Sequence, residues 1–205
     1  EVPFVLMWQA AHLPTPDFVD AAEAIRFTEK WWRDWSKRCS CQACWRDAVV
    51  RSLITLKALT FAPTGGIVAA PTTSLPEQIG GVRNWDYRFC WLRDATFTLY
   101  SLLVYGYTDE AEHFRDWLLR AVAGDPSSLQ IMYSITGVRR LTELELDWLP
   151  GYENSRPVRT GNAASGQFQL DVYGEVIDML HVSRRQGLPA DGAAWRLELA
   201  ILESL

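Results

Sequence analysis

The segment Asn84-Trp85-Asp86-Tyr87-Arg88-Phe89-Cys90-Trp91-Leu92-Arg93-Asp94 concentrates the residue types best suited to chemistry. In an extended conformation Trp85, Tyr87, Phe89 and Trp91 share one face, and Asp86, Arg88 and Cys90 take the other. Arg93 and Asp94 then fall at the entrance of an apolar helical stretch, beside free backbone N–H groups. Such a mixture suits a neutral sugar. Its C–H faces pack on aromatic rings, while carboxylate and guanidinium groups take hydroxyls in charge-assisted hydrogen bonds. The same residues also suit packed core aromatics with structural Arg/Asp pairs, and composition by itself leans to this plainer reading.

Other chemistries find little support. The sequence holds no G-x-S-x-G elbow, H-E-x-x-H pair, P-loop or Rossmann glycine pattern. His12, His113 and His181 are scattered and form no triad, so any acid–base work falls to carboxylates. Cys39, Cys41 and Cys44 form C-x-C-x-x-C, but neither Cys90 nor any His has ligand spacing to them. They read as thiols in a helix–helix connection, with no metal and no cofactor expected. Few cysteines and no legible secretory leader point to a reducing, cytoplasmic setting.

The positioning elements are mostly helical. Ala21, Ile25, Thr28, Trp32 and Trp35 repeat at 4-3-4-3 spacing, and Val49, Leu53 and Leu56 give a second stripe. Asp94 to Tyr105 is apolar almost all round and stops at Gly106, predicting an inner, fully packed helix. Thr108 is the expected cap of the next, with Phe114, Trp117, Leu118 and Val122 inside. Leu170 to Arg185 forms another, and Asp191 caps a last helix, Ala193–Leu205, with Trp195, Leu199 and Leu202 on its stripe. Leu129–Ile135 and Leu141–Trp148 alternate as strands about Thr136–Gly137, followed by a Gly/Pro/Asn-rich stretch over 150–162. This long excursion reads as functional. Residues 1–9 read as the tail of a strand. Trp31, Trp32, Trp35 and Trp45 read as packing residues; Trp148 alone outside the dense segment has a claim on a ligand.

Composition bounds the class. The 205 residues are 22% charged with a net charge of −5, which excludes wholesale disorder and argues against a nucleic-acid partner. No apolar run approaches the ~18–20 residues of a membrane span. Ten tryptophans stand far above the usual share. Six helices with unequal connections suggest an α/α layered or toroidal architecture.

The stretch APTTSLPEQIGGVRNWDYRFCWLRDATFTLYSLL (Ala70–Leu103) resembles the first signature region of glycoside hydrolase family 15, which comprises glucoamylases, glucodextranases and bacterial trehalases. WWRDWSKRC, WRDAVVRSLITLKALTFAPTGGIVAAPTTSLPE, QIMYSITGVRRLTELELDWLPGYENSRPVRTGNAA and GQFQLDVYGEVIDMLHVSRR are similar to its bacterial branch in the same order. The resemblance implies a mainly α fold, part of an (α/α)6 toroid with a short β excursion and a strand-like N-terminal tail. Residues 1–15 would be the tail of a β-rich segment or a linker, and 16–205 the N-terminal half of the catalytic domain.

Carried over, the resemblance implies that Arg93 and Asp94 hold hydroxyls of the glucosyl unit at subsite −1. Tyr87 would lie near the developing oxocarbenium charge, and Trp91 would wall the pocket. Asn84 and Asp86 would support the loop; Asn162, Gln167, Asp171 and Glu175 match a region that shapes the site. The family's general acid lies in a G-I-W-E-like motif and its base near the end of the domain. Neither motif is present, so both groups are expected downstream of Leu205, and Asp171 and Glu175 are not nominated for those roles. The resemblance thus implies a fragment of an inverting, exo-acting α-glucoside hydrolase, acting on trehalose, maltooligosaccharide or dextran and inactive alone. A non-catalytic sugar-binding or scaffold protein of the same fold is the alternative.

Overall fold

The structure, a computed structural model, describes residues 2–122 and 129–204. Leu205, past which the resemblance sets the general acid and base, lies outside the described residues. Among the described residues six α-helices carry the fold: α1 (Ala21–Lys37), α2 (Arg46–Ala58), α3 (Leu92–Val104), α4 (Thr108–Ala121), α5 (Asp171–Arg185) and α6 (Gly192–Ser204). The last of these was expected to run to Leu205 and is described as far as Ser204. Four two-residue strands lie between the helices among the described residues: β1 (Cys90–Trp91), β2 (Met132–Tyr133), β3 (Leu144–Glu145) and β4 (Arg159–Thr160). The fold is mainly α, as expected. Among the described residues no helix is long and apolar enough to cross a membrane.

Helix α3 is the centre of the main core. Leu92, Ala95, Leu99 and Leu103 bury against Phe114, Trp117 and Leu118 of α4 and Val172, Val176 and Met179 of α5. The helix is not packed all round, however. Phe97, Tyr100 and Val104 sit three and four residues apart and remain exposed. Apolar composition reports how much surface a helix can bury, and the partners present decide how much it does.

A smaller core joins the N-terminal helices to this body. Trp35 stacks on Tyr107 at 4.2 Å, donates Nε1 to Glu110 at 2.9 Å, and accepts the Tyr107 hydroxyl on its carbonyl at 3.1 Å. Cys39, Cys41, Leu53 and Leu102 complete the cluster. Cys44 is exposed and all four thiols are free. Buried Glu110 has its charge met by the Trp35 Nε1–H and by Lys57 at 2.9 Å, and these contacts keep the carboxyl below its ordinary range despite burial.

Several expectations are corrected. On α1 only Trp35 is buried; Ile25 is exposed, so the 4-3-4-3 stripe is largely solvated. Trp45 is exposed at the start of α2 instead of packing. Thr108 is the first residue of α4, not its cap: Tyr107 holds the cap position without a side-chain bond. On α6 the buried face is Ala194, Leu197, Glu198 and Ile201, while Trp195, Leu199 and Leu202 face outward. Arg184 explains that rotation, because it pairs with buried Glu198 at 2.5 Å and lies over the Trp195 ring. Asp191 does cap α6, accepting Ala193 and Ala194 N–H, and these bonds hold its carboxyl below the ordinary range.

The two alternating segments turn at Gly137, whose φ is +83°, but do not pair with each other. Apolar β2 pairs antiparallel with β1 (Cys90↔Tyr133, Trp91↔Met132) and buries Met132 and Tyr133. β3 pairs with β4 at the surface (Leu144↔Thr160, Glu145↔Arg159). The apolar strand is drawn to the core and the charged one stays wet, which overrides hairpin pairing. Residues 2–10 form no strand; Phe4, Leu6 and Trp8 are exposed along an irregular segment.

Candidate active site

The dense segment runs extended, as its alternation predicts. Backbone hydrogen bonds from Ala69 N to Phe89 O, Ala70 N to Tyr87 O, and Ser74 N to Trp85 O hold it against residues 69–74. Of its even positions Asn84, Asp86 and Cys90 turn inward, while Arg88 stays exposed. Asn84 is fully buried and donates to Gly81 O (3.1 Å) and Pro157 O (3.2 Å). Buried Asp86 grips Arg88 through two hydrogen bonds of 2.8 Å and accepts Gly161 N–H at 3.1 Å. Asn162 ties the same loops together, donating to Asp86 O and accepting Ala164 N–H, each at 3.0 Å.

Its odd positions face a cavity of about 550 Å³. Trp85, Tyr87 and Trp91 line it, with Glu77, Arg83, Glu143, Asn162, Ala163, Ala164 and Gln167. Phe89 packs on the core instead. That volume falls within the range of small-molecule sites. Burial, with Glu77 beside it, pushes the Tyr87 phenol up. Nε1 of Trp91 is shielded from solvent without a hydrogen-bond partner among the described residues, leaving a donor unused in the wall.

Arg93 and Asp94 stand at the start of α3, next to the cavity and not among its lining residues. The Arg93 guanidinium lies 5.8 Å from the Trp91 ring centroid, 3.6 Å from Asp94 and 3.7 Å from Asp171. Both carboxylate separations exceed hydrogen-bond length, so the Arg93 donors remain unspent among the described residues. Asp171 opens α5 and is exposed; Gln167 is exposed and accepts Gln169 Nε2 at 2.9 Å. Glu175 lies a turn beyond Asp171, where burial and repulsion from Asp178 and Asp171 push its carboxyl up.

The cavity therefore brings together Tyr87, Trp91, Asn162 and Gln167, with Arg93, Asp94 and Asp171 as a charged group beside Trp91. Asn84 and Asp86 lie behind the lining. The alternation placed Trp85 on the aromatic face, without a role of its own, and sequence reasoning nominated none of Glu77, Arg83 and Glu143. Glu77 and Arg83 pair at 3.0 Å across a turn at Gly80 and Gly81, and Glu143 arrives from a distant loop.

Gly161, next to the cavity-lining Asn162, has a φ of +80°, and a Cβ there would lie 1.9 Å from the Thr142 carbonyl oxygen. Gly161→Ala is expected to part β3 from β4 and lower Tm, because backbone cannot yield as a flexible side chain does. Gly174→Ala on α5, where a Cβ meets open space, is the control and should leave Tm equal or higher. Thermal unfolding of both variants checks this.

The family model "Glycosyl hydrolases family 15" matches residues 44–204. Over 192 residues, 91% of this chain, the sequence is 42% identical to a protein named trehalase from Mycolicibacterium smegmatis, covering 29% of that relative. A trehalase from Mycobacterium tuberculosis is 40% identical over 91% of the chain, covering 28% of that relative. A trehalase from Thermoplasma acidophilum is 36% identical over 93% of the chain, covering 32% of it. The chain thus spans under a third of the length of these relatives. No solved structure matches it. The helical architecture agrees with part of the helical toroid expected from the resemblance, and the match over all but the first helix places the chain in a family: it belongs to the family 15 glycosyl hydrolases.

Proposed function

We propose that this chain is the glucosyl-binding part of an exo-acting α-glucoside hydrolase that inverts configuration, with α,α-trehalose as the first substrate to test. The observation that carries the reading is Arg93, held between Asp94 and Asp171 beside Trp91 with its donors unspent. The relatives' printed names favour trehalose over maltooligosaccharide or dextran.

In this reading the glucose ring lays its C–H face on the Trp91 side of the aromatic wall. Arg93 and Asp94 divide the hydroxyls, the guanidinium donating and the carboxylate accepting. Tyr87 places its oxygen near the ring carbon where positive charge develops. Asn84, Asp86 and Asn162 keep the loops in place. Glu77 and Glu143 are paired with Arg83 and Arg159. The general acid and base come from residues downstream of Leu205. Inversion needs such a pair ~6.5–9.5 Å apart with water between. Residues 16–205 form the catalytic-domain portion and 1–15 a linker or tail.

The test follows trehalose and maltose cleavage by the full-length protein in proton NMR. Inversion predicts that maltose yields β-glucose first and that trehalose yields one α and one β product. Release of α-glucose alone, or no cleavage of either sugar, overturns the proposal.

A further inference from the structure

We infer that Arg159 is a positioning residue that holds Trp85 and Glu143 as a second sugar-binding wall of the cavity. The inference rests on the reading of this cavity as an α-glucoside site. It concerns the far end of the extended segment. Trp85 lies six residues before Trp91 on the same face, and both rings line the one cavity. The wall at Trp85 is built from different residues than the glucosyl position beside Arg93.

Arg159 itself does not line the cavity. Its side chain is 12% exposed and lies behind two residues that do. The guanidinium sits over the Trp85 ring at 4.7 Å from its centroid. Nη1 donates to Val82 O and Nη2 to Glu145 Oε1, each at 3.0 Å. Nε lies 3.4 Å from Glu143 Oε1, an ion-pair contact without a directed hydrogen bond. The other Glu143 oxygen accepts Ala163 N–H at 3.1 Å, so the carboxylate is gripped from both sides. The Arg159 backbone is anchored as well. Its N–H donates to Ser74 Oγ at 2.7 Å, and its carbonyl accepts Thr73 Oγ1 (2.7 Å) and Ser74 Oγ (3.0 Å).

One planar group thus fixes an aromatic ring and a carboxylate that face the same cavity from two distant loops. A ring with a C–H face to stack and a hydroxyl to donate would meet both. The occupant is a second, neutral pyranose carrying the bond to be broken. Lysine cannot replace Arg159, because an ammonium lacks the flat face over Trp85 and the fork that donates to Val82 O and Glu145 while lying against Glu143.

The test uses the full-length enzyme with Arg159→Lys, Glu143→Gln and Trp85→Ala, comparing trehalose with α-glucosyl fluoride, which has no second ring. Each variant should raise KM for the disaccharide about tenfold with kcat nearly unchanged, and leave the fluoride constants near wild type. Arg159→Lys combined with Glu143→Gln should lose less than the sum of the two. Equal losses on both substrates, or a lowered Tm with KM unchanged, would overturn the inference and make Arg159 a structural tie. Wild-type protein that cleaves neither substrate sinks the α-glucoside reading, and this inference with it. Wild-type activity with unmoved variants sinks the Arg159 inference alone.

Discussion

Arg93→Lys in the full-length enzyme is expected to lower kcat/KM by roughly ten- to hundredfold while leaving Tm unchanged. The guanidinium is 41% exposed, and its contacts to Asp94 and Asp171, at 3.6 and 3.7 Å, are ion pairs of the weak, solvated kind. Little stability depends on them. The same looseness leaves the planar fork free to grip sugar hydroxyls, which an ammonium cannot match in direction. A charge-assisted hydrogen bond lost in the transition state costs on the order of 1.5–3 kcal/mol, which sets the range. Steady-state kinetics with trehalose and a thermal melt of each protein decide it. A falling Tm with activity intact would make Arg93 structural and remove it from the site.

The 205-residue chain expressed alone should release no glucose from trehalose or maltose. General acid or base assistance is worth about 10²–10⁴-fold for each group, and in the proposed mechanism both groups lie downstream of Leu205. Its surface should also be adhesive. Phe97, Tyr100 and Val104 on α3, Phe168 and Leu170 before α5, and Trp195, Leu199 and Leu202 on α6 are all exposed. Apolar surface on this scale promotes association and binds dyes of exposed hydrophobic patches. Dye fluorescence, near-UV circular dichroism of the tryptophans and a glucose assay test the point together. A cooperative melt with glucose release that disappears in Glu175→Gln would place the chemistry within these residues. Glu175 would then be the acid, a role that its raised pKa permits.

The sequence alone determined the helices, the extended aromatic segment and the family. Helical spacing and turn glycines report local backbone preference, and the alternation from Trp85 to Trp91 reports a two-residue period. Hence α3 to α6 stand close to their expected places, and Trp85, Tyr87 and Trp91 share a face as read. Phe89 kept the period but went to the core, because the segment turns into β1 just after it.

Tertiary structure decided which faces are covered and what meets across the cavity. Trp195 and Ala194 are neighbours in sequence, and only the Arg184–Glu198 pair and the packing of α6 on α4 and α5 select Ala194 for burial. Likewise the alternating 129–135 and 141–148 segments carry no mark of their partners. β2 found β1 because burying Met132 and Tyr133 outweighs a local hairpin, and β3 was left to β4. Glu143 and Arg159, and Trp85 with them, are brought together from positions far apart along the chain. No spacing rule reaches that far: long-range contacts depend on where whole loops are pinned, here by Asp86, Asn162 and Ser74.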